Sequence, residues 1–237
     1  MPIAAADYIL PLVVRKKTVT RSHEEIDRFA GTGFYLGANG VVATCEHIVS
    51  SIDADEMIMA YDIKSHTFFQ LNHVKCHPSM DFAVARIQVK NNSYFKLLST
   101  QKRSIPLGTD VSSCGYINAG RVGSALRLED KFFKGYISFI GNRPDPSAHC
   151  RTLCELSFPT LVGFSGAPVF YKDQNLLFGM LYGNKETRIE VASSPETAEN
   201  HRASTAKKYR TMAFGLMHTI DDIISFLADM GLRVLSS

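Results

Sequence analysis

At 237 residues, with a formal net charge of +3, the chain suits one large β domain or a compact double barrel. The charge is too small to imply a polyanionic partner by itself. Hydrophobic content of 45% and charged content of 21% are ordinary for a globular protein, and no stretch reaches the roughly 18 apolar residues that a membrane span needs.

Met1–Asp7 carries an acid and no base, and the following apolar run Tyr8–Val14 is short and holds Pro11. That lacks the charged start and longer apolar centre of a secretory signal. Tyr8–Arg15 reads as a first strand and Arg21–Arg28 as a polar excursion with a helical turn. From Gly31 to Glu46, alternating apolar residues flank Asn39-Gly40, the favoured dipeptide for a two-residue type I′ turn, so a hairpin is expected. His47 then falls where the second strand ends, followed by Ile48-Val49, and is the candidate general base. Glu56–Ile63 and Thr67–His73 read as further strands. Asp81 stands just before the strand Phe82–Ile87, where a carboxylate can hold an imidazole in one tautomer and stabilise its protonated form.

Leu107–Asp110 and the Gly-rich piece Gly115–Gly123 separate the two halves. The second half is expected to use Val111–Ile117, Leu126–Leu128, Phe132–Ile140, Leu153–Phe158, Pro168–Tyr171 and Leu176–Tyr182, with Asp173-Gln174-Asn175 turning between the last two. Ahead of Pro168 lies the most informative string of the chain, Gly163-Phe164-Ser165-Gly166-Ala167. A serine hydroxyl needs a neighbouring base and a place for the developing oxyanion before it is a useful nucleophile. The glycine two residues earlier lets the backbone turn sharply and aim successive N–H groups into one space. Lys185–Arg210 reads most simply as a polar, solvated loop, either an ordered exosite or a flexible piece whose string Val191–Ala206 would suit self-cleavage. Its basic cluster Lys207-Lys208-Tyr209-Arg210 belongs to that loop, and no nucleic-acid partner is expected. Thr219 reads as the N-cap of a helix from about Ile220 to Met230, with Asp222 in its first turn and Gly231 past its end.

Taken singly, each residue has a plainer reading. A serine between glycines is usually a turn, a histidine at a strand end is usually structural or exposed, and an aspartate before a strand is usually a solvated turn residue. Their order and local settings together resemble the trypsin-like (chymotrypsin-fold) serine proteases, closest to the disulfide-free, HtrA-like branch. Thr44-Cys45-Glu46-His47-Ile48-Val49 is similar to the family's T-x-x-H-V-V block, Asp81-Phe82-Ala83-Val84 to D-L-A-V, and Gly163–Pro168 to G-N-S-G-x-P, with Phe164 in place of Asn. Val111–Gly120 and Lys134–Ser138 are weaker echoes. The resemblance runs from about residue 9 to 230.

The resemblance implies an all-β fold of two six-stranded antiparallel β-barrels with a C-terminal α-helix, as one peptidase domain over 1–237. The N-terminal barrel would span about 8–105, the C-terminal barrel about 106–218 and the helix about 220–230. It implies a His47, Asp81, Ser165 triad, with the backbone N–H groups of Gly163 and Ser165 as the oxyanion hole. Pro159 would form the floor of the primary specificity pocket, near Phe158 and Leu156, with Leu181-Tyr182-Gly183 as the opposite wall and Phe164 also among the substrate-binding residues. No acid lies in Leu156–Phe164, so small or medium apolar residues are expected before the cut. Phe164 also stands where secreted members often carry the aspartate that pairs with a freed N-terminus, so that activation switch is expected to be missing. A PDZ module has no room after the peptidase domain, which points to regulation in trans by a protein partner.

Secreted relatives place a disulfide cysteine directly after the histidine, and here that residue is Ile48. With five cysteines, an odd number, a reduced, cytoplasmic protein is expected. Cys76-His77 and His149-Cys150-x3-Cys154 fit no zinc template, so no metal and no organic cofactor is called for. The function expected is an intracellular serine endopeptidase acting on proteins or peptides. The alternative is a silent or latent protease scaffold that binds a peptide or protein partner. An esterase is disfavoured because such enzymes use the order Ser, Asp, His on an α/β sheet.

Overall fold

Short apolar runs cut by Gly and Pro form fourteen strands in two sheets in the computed structural model, which describes residues 7–17, 26–37, 40–89, 94–98, 105–123, 125–142, 152–172, 176–196 and 204–231. The first sheet uses β1 (Ile9–Lys16), β2 (Arg28–Gly37), β3 (Val41–Thr44), β4 (Glu56–Asp62), β5 (Thr67–Gln70), β6 (Asn72–Cys76) and β7 (Ala83–Arg86), in the order β5-β4-β1-β2-β3-β7-β6. Its two edges, β5 and β6, are separated by Leu71 alone, whose N–H still donates to the Ile58 carbonyl of β4 at 3.1 Å. One strand therefore bends from edge to edge and closes the sheet. His73, at φ 51°, and a register shift between Asn72 and Lys75 mark the bend. Seven segments thus make the six-stranded barrel the sequence implied.

The second sheet is built from β8 (Lys96–Leu97), β9 (Asp110–Val122), β10 (Ala125–Asn142), β11 (Thr152–Leu156), β12 (Pro168–Tyr171), β13 (Leu176–Glu196) and β14 (Ser204–Thr219). Pairing of β12 with both β9 and β13 closes β9, β10, β11, β14, β13 and β12 into an antiparallel ring, with β8 added in parallel outside β13. Val111, Ile137, Leu156, Phe158, Phe164, Val169, Phe178, Leu181 and Met217 fill its interior. Between the barrels Phe95 packs against Tyr8 at 4.8 Å, Phe34 at 5.8 Å and Phe170 at 4.8 Å, centroid to centroid.

Several expectations change. The hairpin β2–β3 exists, but three residues separate the paired Gly37 and Val41, so its turn is longer than two residues; Asn39 lies outside the described residues, and Gly40 has φ +71°. The two strands expected within 126–140 are one, because Glu129-Asp130-Lys131 stays paired with Gly115–Ile117. The largest correction is Lys185–Arg210. There β13 and β14 pair from Gly179↔Thr219 to Glu196↔Ser204 as a long ribbon, not a loop. Residues 173–175, part of the 21–28 excursion, and His149 and Cys150 lie outside the described residues.

The C-terminal helix α2 (Ile220–Asp229) forms as the sequence indicates. Thr219 Oγ1 accepts the Asp222 N–H at 3.4 Å and donates to the Asp222 carboxylate at 2.8 Å, and Gly231 beyond its end has φ +67°. Its apolar face, Ile220, Ile223, Phe226 and Leu227, is buried. Phe226 lies edge-on to Phe82 at 5.7 Å and against His77 at 4.7 Å, so the helix packs on the first barrel.

Candidate active site

His47 sits one step further than the strand end expected of it, in a short helix α1 (Glu46–Ser50) that follows β3. The helix is fixed by Ile48, buried against Gly31 of β2. This leaves the His47 ring about half exposed while its backbone N–H turns towards Asp81. Asp81 Oδ1 accepts that N–H at 2.9 Å, and Oδ2 lies 2.6 Å from His47 Nδ1. Both carboxylate oxygens are thus committed to one residue, which fixes the position and the tilt of the imidazole. With Nδ1 facing the carboxylate, Nε2 is the nitrogen left to act as base.

The two groups tune each other. The hydrogen bond to Asp81 raises the His47 pKa above its ordinary value against the opposing effect of burial. Burial works against ionisation of Asp81, but the hydrogen bonds from the His47 ring and N–H, together with the nearby histidine charges, hold its carboxyl below the usual range.

Asp81 is held by a knot that the sequence did not disclose. His77 Nδ1 accepts the N–H of Ser79 at 3.1 Å and of Met80 at 2.9 Å, while the His77 N–H donates to the Phe82 carbonyl at 2.8 Å. Only the position of His77, four residues before Asp81 and next to a proline, hinted at it.

Ser165 enters from the second barrel on a loop of left-handed glycines, Gly163 at φ +96° and Gly166 at φ +85°. A Cβ at Gly163 would strike Phe29 and stand 2.7 Å from the Tyr116 carbonyl, and one at Gly166 would strike the Thr32 carbonyl. Thr32 of β2 is the anchor. Its N–H donates to the Ser165 carbonyl at 3.0 Å, and its hydroxyl donates to the Gly163 carbonyl at 2.7 Å and accepts the Tyr116 N–H at 3.1 Å. Ile48 and the Ser165 carbonyl both abut Gly31, so the serine loop and the His47 helix meet on one strand. The N–H groups of Phe164, Gly166 and Ala167 donate to Leu161, Leu181 and Phe164 carbonyls. Those of Gly163 and Ser165 have no backbone acceptor among the described residues.

The expected pocket residues divide. Pro159 is half-buried, and a Cβ on Gly183 would meet nothing within 4 Å, so open space lies beside it. Tyr182 is half-buried, its ring stacked on buried His218 at 4.1 Å. Phe164 and Leu181 do not offer side chains to a ligand. Both are fully buried in the second core, where Phe164 meets Phe133 edge-on at 5.2 Å. The backbone of Leu181 is also engaged, its carbonyl accepting the Gly166 N–H at 2.8 Å and the Cys45 thiol at 3.4 Å.

Cys45 Sγ, a His47 ring nitrogen and an Asp81 oxygen lie within 4.8 Å of one another, a donor set a metal can use. The fit is poor. The histidine and aspartate already bind each other, and burial pushes the Cys45 thiol well up, keeping it protonated. No helix is long and apolar enough to cross a membrane among the described residues.

Residues 31–180 match the family model of the trypsin-like peptidase domain. Over 140 residues the chain is 26% identical to a probable periplasmic DegP-like serine endoprotease of Pseudomonas fluorescens, covering 59% of this chain and 26% of that protein. Among solved structures it is similar to an HtrA-type protease, AlgW with decapeptide (TM-score 0.61, 14% identity, 96% of this chain and 65% of that one). It is also similar to the Rv3671c protease in its inactive form (TM-score 0.59, 16% identity, 97% of each). A third likeness is the MamO protease domain of Magnetospirillum magneticum (TM-score 0.56, 15% identity, 94% of this chain and 97% of that one). The match spans about a quarter of the curated relative's length. The chain belongs to the trypsin-like peptidase domain family and is akin to its HtrA/DegP-like branch.

Proposed function

We propose that the protein is a serine endopeptidase that works through His47, Asp81 and Ser165. The observation that carries this reading is the double hold of Asp81 on His47, at 2.6 Å to the ring and 2.9 Å to the backbone. An aspartate in that arrangement stabilises an imidazolium, which general-base catalysis must form. Ser165 Oγ attacks the peptide carbonyl as its proton passes to His47 Nε2. The N–H groups of Gly163 and Ser165 receive the oxyanion, and the imidazolium returns the proton to the leaving amine. Water then repeats the steps in reverse to free the acyl group from Ser165. The residue accepted before the cut is small or medium and apolar, in keeping with Phe158 and half-buried Pro159 and the lack of an acid between residues 156 and 164.

A peptide as substrate is supported by the similar HtrA-type protease AlgW, solved with a decapeptide and with a tripeptide. The free thiols of Cys45, Cys76, Cys114 and Cys154 favour a reducing, cytoplasmic setting. The curated relative is described as periplasmic, and cell fractionation separates the two compartments. Regulation by a protein partner in trans belongs to the same proposal. It fails if the purified chain alone cleaves peptides with ordinary efficiency.

Labelling with a fluorophosphonate probe tests the central reading. Wild type should label, and Ser165→Ala and His47→Ala should not. A folded wild type that does not label would mean a latent site that waits for its partner or a silent scaffold that binds peptides.

A further inference from the structure

Two stretches border the serine loop: residues 158–162, which lead into it and whose Leu161 carbonyl accepts the Phe164 N–H at 2.9 Å, and residues 181–184 of β13, whose Leu181 carbonyl accepts the Gly166 N–H at 2.8 Å. They are bound together by a clamp. The Thr160 N–H donates to Asn184 Oδ1 at 2.6 Å, Asn184 Nδ2 donates to the Thr160 carbonyl at 2.6 Å, and Thr160 Oγ1 donates to the Gly183 carbonyl at 2.8 Å. The Asn184 amide therefore pairs with the Thr160 backbone as a second strand would, and buried Thr160 uses every polar group it has. The Gly215 N–H fixes the same segment from the other side, donating to the Phe158 carbonyl at 2.7 Å.

We infer that Asn184, clamped to Thr160, is the residue that sets substrate choice, admitting short side chains before the scissile bond and excluding long and aromatic ones. Two arguments carry this, and both rest on the proposed acyl transfer at Ser165. The first is space. At the clamp the two stretches stand at hydrogen-bonding distance, so no substrate side chain passes between them, while the Gly183 backbone beside it carries no side chain and has open space next to it. The second is chemistry. With its N–H given to Asn184 and its hydroxyl proton to Gly183, Thr160 has no hydrogen-bond donor left for a polar substrate group. Burying such a group unpaired is costly, which favours an apolar residue.

Sequence could not show this clamp, because its partners lie 24 residues apart and neither type of residue signals a pocket. It differs from a salt-bridged floor in that it selects by depth and not by charge. It is also a fixed feature of the resting site, formed before any substrate arrives.

Phosphonate esters carrying Ala, Val, Leu or Phe next to the reactive phosphorus test the inference. A small fluorophosphonate without a side chain reports the nucleophile alone. Wild type should react with the Ala and Val reagents about tenfold or more faster than with the Leu and Phe reagents, the scale on which pockets separate substrates by a few methylenes. Asn184→Gly should shrink or invert that ratio by about tenfold while its fluorophosphonate labelling stays within about twofold of wild type. Thr160→Ser, which keeps every donor and acceptor, should retain the wild-type ratio. If Asn184→Gly does not fold, Thr160→Val, which removes only the bond to Gly183, should relax the ratio in the same direction. The inference is overturned if wild type takes the Phe reagent as fast as the Ala reagent, or if the variant labels normally with an unchanged ratio. Wild type deaf to the fluorophosphonate as well would instead defeat the proposed nucleophile, and this inference with it.

Discussion

The two barrels hold their parts of the candidate site by different means. In the first, His47 and Asp81 are 49% and 26% exposed and are held by hydrogen bonds to each other and by the His77 knot. In the second, the Ser165 loop is held by neutral hydrogen bonds to Thr32 and Leu181 and by backbone shape, with two left-handed glycines under it and fully buried Phe164 beside it. A partly exposed pair set by hydrogen bonds responds to protons and to exchange of single atoms. A loop set by steric fit tolerates any pH but not one added methyl group. The acid–base half is thus the tunable one, and the nucleophile half is the rigid one.

Ser165→Ala should break the comparison most completely, lowering peptidase turnover by about 10⁵-fold or more while leaving thermal unfolding near that of wild type. Asp81→Asn probes the tunable half and should cost about 10⁴-fold. The wild-type rate should rise with pH as His47 gives up its proton, with a midpoint above the ordinary histidine value of 6.5, because the carboxylate favours the charged ring. In Asp81→Asn that midpoint should fall, since the amide cannot stabilise the imidazolium; a pH profile of kcat/KM reads both. An unmoved midpoint would remove Asp81 from its assigned role.

Gly163→Ala probes the rigid half. Its φ of +96° and the crowding against Phe29 and Tyr116 should displace one oxyanion donor and cost about 10²–10³-fold in kcat, without moving the pH midpoint. The smallest effect belongs to His77→Ala. It strips an acceptor from two N–H groups and should cost about tenfold in activity and about 1–3 kcal/mol in stability by urea denaturation. His77→Asp should recover most of both, since a carboxylate at that place can take the same N–H groups. No recovery would mean that the ring's packing on Phe226 matters more than its nitrogen.

The contrast also explains what could be read from the chain. Gly163, Ser165 and Gly166 announced a sharp backbone turn because only glycine accepts such angles. Strands with one face in a barrel announced themselves by alternation, as did α2 by its apolar face and its Thr219 cap. The ribbon β13–β14 escaped notice because, away from the core, strands need no apolar alternation: its residues 185–190 read Lys-Glu-Thr-Arg-Ile-Glu and could pass for loop. Phe164 and Leu181 were placed on the pocket because they neighbour it in sequence, yet each side chain turns to the core. Thr32 and Asn184 were illegible for a related reason: their hydrogen bonds reach backbone far away in sequence, and no local pattern records such a bond. His77 bonds its near neighbours Ser79 and Met80, but a histidine before a proline is no recognised turn signal.

The helix α2 carries a consequence for how the molecule comes into being. It is translated after Ser165, after the ribbon and after every strand of both barrels, yet it seals Phe82 and His77, next to the aspartate of the first barrel. A chain emerging from the ribosome has its histidine and aspartate early but lacks this cover until residues 220–229 are out. The support around the aspartate should therefore be completed only after both barrels have been made, so that the first barrel owes its finished form to a segment synthesised after the second.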